Sequence, residues 1–230
     1  MFAILAPGVI FFIISAQTGF NHHLRYVLPA FPFLFVVSSQ VVKWGKWYRR
    51  LVYLMLAWQF AIITIQGPHW MSYFNELAGG PSRGHQWLVD SNIDWGQDVL
   101  RLQNWQERHP SANPLHVAVY SMFDPKDLGL VFTKPAPFVS GHPEVTDLTG
   151  RRGPQSGWYA VSVCHLKGME FFVFDGQGDA YFSEAYFTYF LDNFEPVDMI
   201  GYSIYIYHIT EVDAARVRAK LLLEEAEVLK

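Results

Sequence analysis

The sequence predicts a membrane α-helical segment of about three transmembrane helices, followed by a soluble α/β domain with a mainly parallel sheet and a C-terminal helix. Three observations carry this prediction. The first is charge. No Asp or Glu precedes Glu76, and up to there the chain has five basic residues. The remainder holds the other twelve of the 17 Lys and Arg against all 21 acidic residues. The second is apolarity: 51% of the 230 residues are hydrophobic and mean hydropathy is +0.10, with the excess gathered at the front. The third is a later alternation of short apolar runs with capped polar stretches, the pattern of βα units.

Composition sets outer limits. So few charges among so many apolar residues exclude a disordered chain. A net charge of −4 argues against a basic nucleic-acid binder. Cys164 is the only cysteine, so an internal disulfide and a cysteine-rich zinc site are excluded.

Residues 2–16, 27–42 and 51–66 are uncharged apolar runs, each a little short of the roughly 20 residues that cross a bilayer. Tyr26, Trp44, Trp47, Tyr48 and Trp70 flank them, as interface aromatics do. None of the runs shows the polar face of a helix from a water-soluble core. Four of the five basic residues lie in the 43–50 linker, which the positive-inside rule makes cytoplasmic. Everything after residue 66 is then outside, placing the chain in the inner membrane as a multi-pass protein. Pro29 and Pro32 would free carbonyls near the outer end of the second run, beside a wet cavity. The first run starts at Met1 without an anchor, so the chain reads as a fragment. The expected domains are membrane helices over 1–72, an extracytoplasmic α/β domain over 73–210 and a charged helix over 211–230.

In the second part, residues 87–90 read as a strand. Asp94 caps a helix to about His109, with Gln97 at capping-box spacing and a stripe of Val99 and Leu102. Residues 115–121 form the next strand, and 124–130 a short helix with Pro125 at its first position. Residues 158–164 are apolar on both faces, as a central strand is. Residues 183–191 make an aromatic helix, after a turn at Asp175 to Asp179. Residues 199–209 form a last strand with one face packed and one partly exposed. Residues 141–157 are a polar Gly/Pro-rich loop. His165 and Cys164 read as core or strand-edge residues.

Two constellations could carry chemistry. In the first, His23, Arg25 and Tyr26 stand at the mouth of the second run. There Arg25 either binds a lipid phosphate or snorkels as an interface anchor. The adjacent pair His22 and His23 lacks a third metal ligand within reach by sequence. The second is residues 90–98, between a strand end and a helix start, where open α/β sheets place ligands. Asp90, Asn92 and Asp94 could hold sugar hydroxyls or a divalent cation, and Trp95 could stack on a sugar face. The same residues also suit an Asx turn and helix cap. The segment is not an EF-hand loop, and no nucleophile elbow, P-loop or dinucleotide fingerprint occurs.

The run Arg25-Tyr26-Val27-Leu28-Pro29-Ala30-Phe31-Pro32 resembles the late transmembrane region of bacterial family-39 (GT-C type) glycosyltransferases, relatives of the protein mannosyltransferases. Residues 75–81, 88–98 (LVDSNIDWGQD), 158–163 and 201–204 also look like the C-terminal portion of a bacterial subgroup. The resemblance implies a transferase moving a sugar from a polyprenyl-phosphate donor to an outer-face acceptor. It implies the lipid bilayer, the lipid-linked sugar and an upstream membrane domain as partners, with the polyprenyl-phosphate sugar as donor substrate and a divalent metal left open. Such families place their catalytic Asp or Glu in an early external loop, which has no match here, so no catalytic residue is assigned. Arg25, with His23 and Tyr26, would face the donor phosphate. The alternative is a membrane-anchored module that binds a glycan or a protein without catalysis.

Overall fold

A computed structural model describes residues 2–16, 24–135, 153–183 and 186–228. The chain divides into two compact units, one to Gly67 and one from Pro68.

The first unit is helical: α1 (Phe2–Ala16), α2 (Phe31–Ser39) and α3 (Lys46–Gln66). The three expected transmembrane helices are not found. Among the described residues, no helix is long and apolar enough to cross a membrane. The sequence shows why. Pro29 ends up in a 3-10 helix, Leu24–Ala30, and Pro32 in the first turn of α2. A second 3-10 turn, Gln40–Lys43, follows. The continuous α-helix of the second run is therefore only 9 residues, about 14 Å at 1.5 Å per residue against a bilayer core of about 30 Å. α1 has 15 residues. α3 has 21, but Lys46, Arg49 and Arg50 occupy its first turns and Gln59 and Gln66 interrupt the rest. The membrane-domain fold class, the multi-pass inner-membrane location and the orientation drawn from the 43–50 linker are corrected accordingly. That linker is a corner in which Gly45, at φ 145°, precedes α3 and Lys43 Nζ donates to Gln40 Oε1 at 2.7 Å.

The second unit is built on a mixed sheet. After α4 (Val99–Arg108) come β1 (Leu115–Ala118), β2 (Gly157–Ser162), the short α5 (Val163–Leu166), a hairpin of β3 (Phe171–Phe174) and β4 (Ala180–Ser183), α6 (Tyr189–Asn193), β5 (Asp198–Ile200), β6 (Ile204–Ile209) and α7 (Glu211–Val228). The main sheet runs β1-β2-β6-β5. Among the described strands of this sheet, β1 and β2 pair in parallel, while β2 with β6 and β5 with β6 are antiparallel. The mainly parallel sheet is thus a second correction. Its cause is the single strand expected over 199–209. That segment turns back on itself at Gly201-Tyr202-Ser203, with Gly201 at φ 59° and Tyr202 at φ 70°.

Both sheet faces are covered. Alternate residues of β2 and β6 divide between two buried clusters. Tyr159, Val161, Tyr205 and Tyr207 pack with Phe187, Phe190, Ala214 and Val217 from α6, its approach and α7. Ala160, Ile204 and Ile206 pack on the other side against Val99, Leu102 and Trp105 of α4. These α4 residues form the i, i+3, i+6 stripe of an amphipathic helix. Both faces of β6 are buried, so the expected half-exposed strand becomes an interior one.

Several local expectations shift. Residues 87–89 are not a strand, and Asp90–Asn92 form a 3-10 turn. The helix expected from Asp94 begins at Val99. The expected short helix at 124–130 is a 3-10 turn, Pro125–Leu128, capped by the Asp124 side chain. Cys164 and His165 lie on α5, fully buried, rather than on a strand edge. The Asp175 turn joins β3 to β4 rather than leading into a helix: Asp175 Oδ1 accepts from the backbone N–H groups of Gln177, Gly178 and Asp179. Residues 141–152 of the predicted loop lie outside the described residues.

Candidate functional site

The site grows from the loop between Asp90 and α4. Asp94 was expected to cap that helix and to serve a ligand. Instead its carboxylate turns inward and is 1% exposed. Oδ1 accepts from the Gly96 N–H at 2.8 Å and Oδ2 from Ser162 Oγ at 2.5 Å. The capping box is replaced by a tighter loop. Gln97 Oε1 accepts from the Trp95 N–H at 2.7 Å, and Gln97 Nε2 donates to the Ile93 carbonyl at 2.9 Å. Burial holds the Asp94 carboxyl up at about 7, against the opposing pull of its Ser162 and Gly96 hydrogen bonds.

Asp98 is the second inward carboxylate. Oδ2 accepts from Ser203 Oγ at 2.7 Å and from Gln97 Nε2 at 3.3 Å. Oδ1 pairs with Arg101 Nε at 3.1 Å and lies 4.0 Å from His69 Nδ1. Burial raises its carboxyl above the ordinary range, although these donors pull the other way. The fit depends on Gly201: a Cβ there would lie 2.0 Å from the Asp98 carboxyl carbon. Ser72 Oγ adds a tie, reaching the carbonyls of Ile93 at 3.1 Å and Gly201 at 3.3 Å. The 68–72 segment, the 90–98 loop and the β5–β6 turn therefore meet at one point.

Beside that point is a cavity of about 120 Å³ lined by Pro68, His69, Met71, Ser72, Gln97, Asp98 and Arg101. Two exposed tryptophans neighbour its lining in sequence: Trp70, at 61% exposure, and Trp95, at 42%.

The expected sugar ligands fare unequally. Trp95 is exposed and borders the cavity-lining segment. Asn92 spends its amide on the Val89 carbonyl at 3.0 Å, and Asp90 Oδ1 accepts from Tyr120 Oη at 3.1 Å. Asp94 is a buried anchor. Arg25 and Tyr26 lie on the 3-10 helix Leu24–Ala30 of the first unit, and His22 and His23 lie outside the described residues. Among the described residues, no group of three or more His, Cys, Asp or Glu could hold a metal ion. Cys164 is fully buried, and burial and then the Asp94 charge push its thiol up to about 12, away from the reactive thiolate.

Gln97 and Asp98 belong to the 90–98 constellation read from the sequence, whereas His69, Ser72 and Arg101 lie outside it and are added as lining residues by the structure. One signal was present: Asp98 and Arg101 stand at i, i+3, the spacing of a helical ion pair. The meeting of Asp98 with Ser203, 105 positions later, left none.

No protein-family model, curated protein or solved structure matches the chain. The likeness to family-39 glycosyltransferases rests on the quoted motifs alone.

Proposed function

We propose that the second unit is a sugar-binding module, with its binding face at the cavity beside α4. The observation that carries this reading is the small cavity lined by Asp98 and Arg101 among others, with the exposed Trp70 and Trp95 close in sequence to its lining residues. Flat aromatic faces beside a few fixed polar groups suit a sugar ring, which is apolar on its C–H face and polar at its rim. Binding without catalysis fits better than group transfer. Transfer needs a carboxylate that can reach the acceptor, whereas Asp94 and Asp98 face inward and are occupied by Ser162, Ser203, Gly96 and Arg101.

The test is a glycan array probed with the full chain. Binding to a subset of glycans is expected, and Trp95→Ala or Trp70→Ala should weaken it about tenfold, or about 1.4 kcal/mol. Trp87→Ala, which removes an exposed indole tied to the Ala78 carbonyl at 2.8 Å, should leave it unchanged. An array without binding, or equal losses for all three variants, would overturn the proposal.

A further inference from the structure

The donor and acceptor inventory of the cavity is one-sided. Asp98 brings the only carboxylate among the lining residues, and both its oxygens are taken by Ser203, Gln97 and Arg101. Gln97 spends its carbonyl on the Trp95 N–H and its amide on Ile93 and Asp98. The Ser72 hydroxyl hydrogen is spent on the Ile93 and Gly201 carbonyls. Arg101 differs. Its side chain is 40% exposed, and among the described residues only Nε is engaged, by Asp98. Both Nη amino groups remain to face a ligand, in the fork geometry that matches two oxygens of one anion.

Asp98 makes this arginine more useful than a loose surface cation. A carboxylate 2% exposed and held by Ser203 fixes the Nε edge of the guanidinium, so less side-chain freedom is lost when a ligand arrives. Repulsion between Asp98 and an incoming anion is reduced by the Ser203 and Gln97 donors on Oδ2 and by the Arg101 charge paired with Oδ1. Size narrows the choice further. Sites for whole drug-sized ligands run to about 300–1,000 Å³, whereas this cavity is about 120 Å³. It admits one group, with the rest of the ligand lying outside.

We infer that the cavity is an oxyanion subsite, in which the Arg101 fork takes the carboxylate or phosphate group of an acidic sugar. This rests on the sugar-binding reading and specifies its ligand class.

The experiment is calorimetric titration of the full chain with four probes: glucose, glucuronic acid, glucose 6-phosphate and inorganic phosphate. Glucuronic acid or glucose 6-phosphate should bind at least tenfold more tightly than glucose, and their order tells carboxylate from phosphate. Arg101→Gln should erase that preference. Arg108→Gln, an equal loss of charge at the far end of α4, should keep it. If circular dichroism shows Arg101→Gln unfolded, Arg101→Lys is read instead; it retains the charge, loses the fork, and should still lose most of the preference. Glucose binding as tightly as the acidic sugars would overturn the subsite and leave the sugar module standing. Inorganic phosphate binding at an Arg101-dependent site with no sugar bound would retain the subsite and overturn the module. Failure of all four probes would overturn the subsite.

Discussion

Asp94 is a buried carboxylate with no cation paired to it among the described residues, and that makes it a pH probe. Its folded-state value of about 7 lies above the unfolded value of 3.8. Between those values the folded chain keeps a proton that the unfolded chain has lost, so stability falls as pH rises, by at most about 1.4 kcal/mol per unit. The loss is complete once pH passes 7. His165 acts oppositely: burial lowers it to about 4 from 6.5, so its contribution is lost as pH falls through that window. The difference between wild type and Asp94→Asn isolates the carboxyl. Urea midpoints at pH 5 and 8 should show the variant gaining on wild type as pH rises; parallel profiles would contradict the burial of Asp94. A second residue-scale prediction concerns Gly201. Gly201→Ala drives a methyl into the Asp98 carboxyl group and should cost more than about 3 kcal/mol or prevent folding. Gly129→Ala, with positive φ but open space around it, should cost about 1 kcal/mol by denaturant titration. Equal costs would show that the Asp98 seat is not tight.

Local signals were legible at the scale of elements where burial and chemistry agreed. The α4 stripe of Val99 and Leu102, the strands at 115 and 158 and the C-terminal helix follow from periodicity and propensity. The β5–β6 turn was not visible because its two arms are both apolar and the alternation runs through it; only Gly201 marks the reversal. The β3–β4 hairpin was missed for a related reason. Its strands are four residues each, too short to show a period, although the Asp175 turn between them was recognised. Asp175→Ala removes the acceptor of three backbone N–H groups at a net cost of about 1 kcal/mol. Amide exchange across residues 171–183 should accelerate while the β2–β6 amides hold; uniform acceleration would mean that the hairpin is not a separate unit. The site was half legible. The 90–98 motif stands out in the sequence, but the inward turn of Asp94 does not, because its partner Ser162 lies 68 positions further along the chain.

The molecule as a whole carries its charge asymmetry in its domain division: five basic and no acidic residues to Gly67, then twelve basic and 21 acidic. Hydrophobic runs alone misled, because run length counts apolar residues without regard to where prolines and 3-10 turns cut the helix. Both buried clusters are made of residues from the second unit, so residues 68–230 should unfold in urea as one cooperative transition when expressed alone. A broad, probe-dependent transition would contradict a self-sufficient core. The most direct test of the central claim is hydrogen–deuterium exchange of the full chain with and without a glycan selected from the array. The account predicts added protection at residues 68–72 and 95–101. Protection confined to the 171–183 hairpin, or to the groove lined by Gln103, His109 and Asn113, would contradict it.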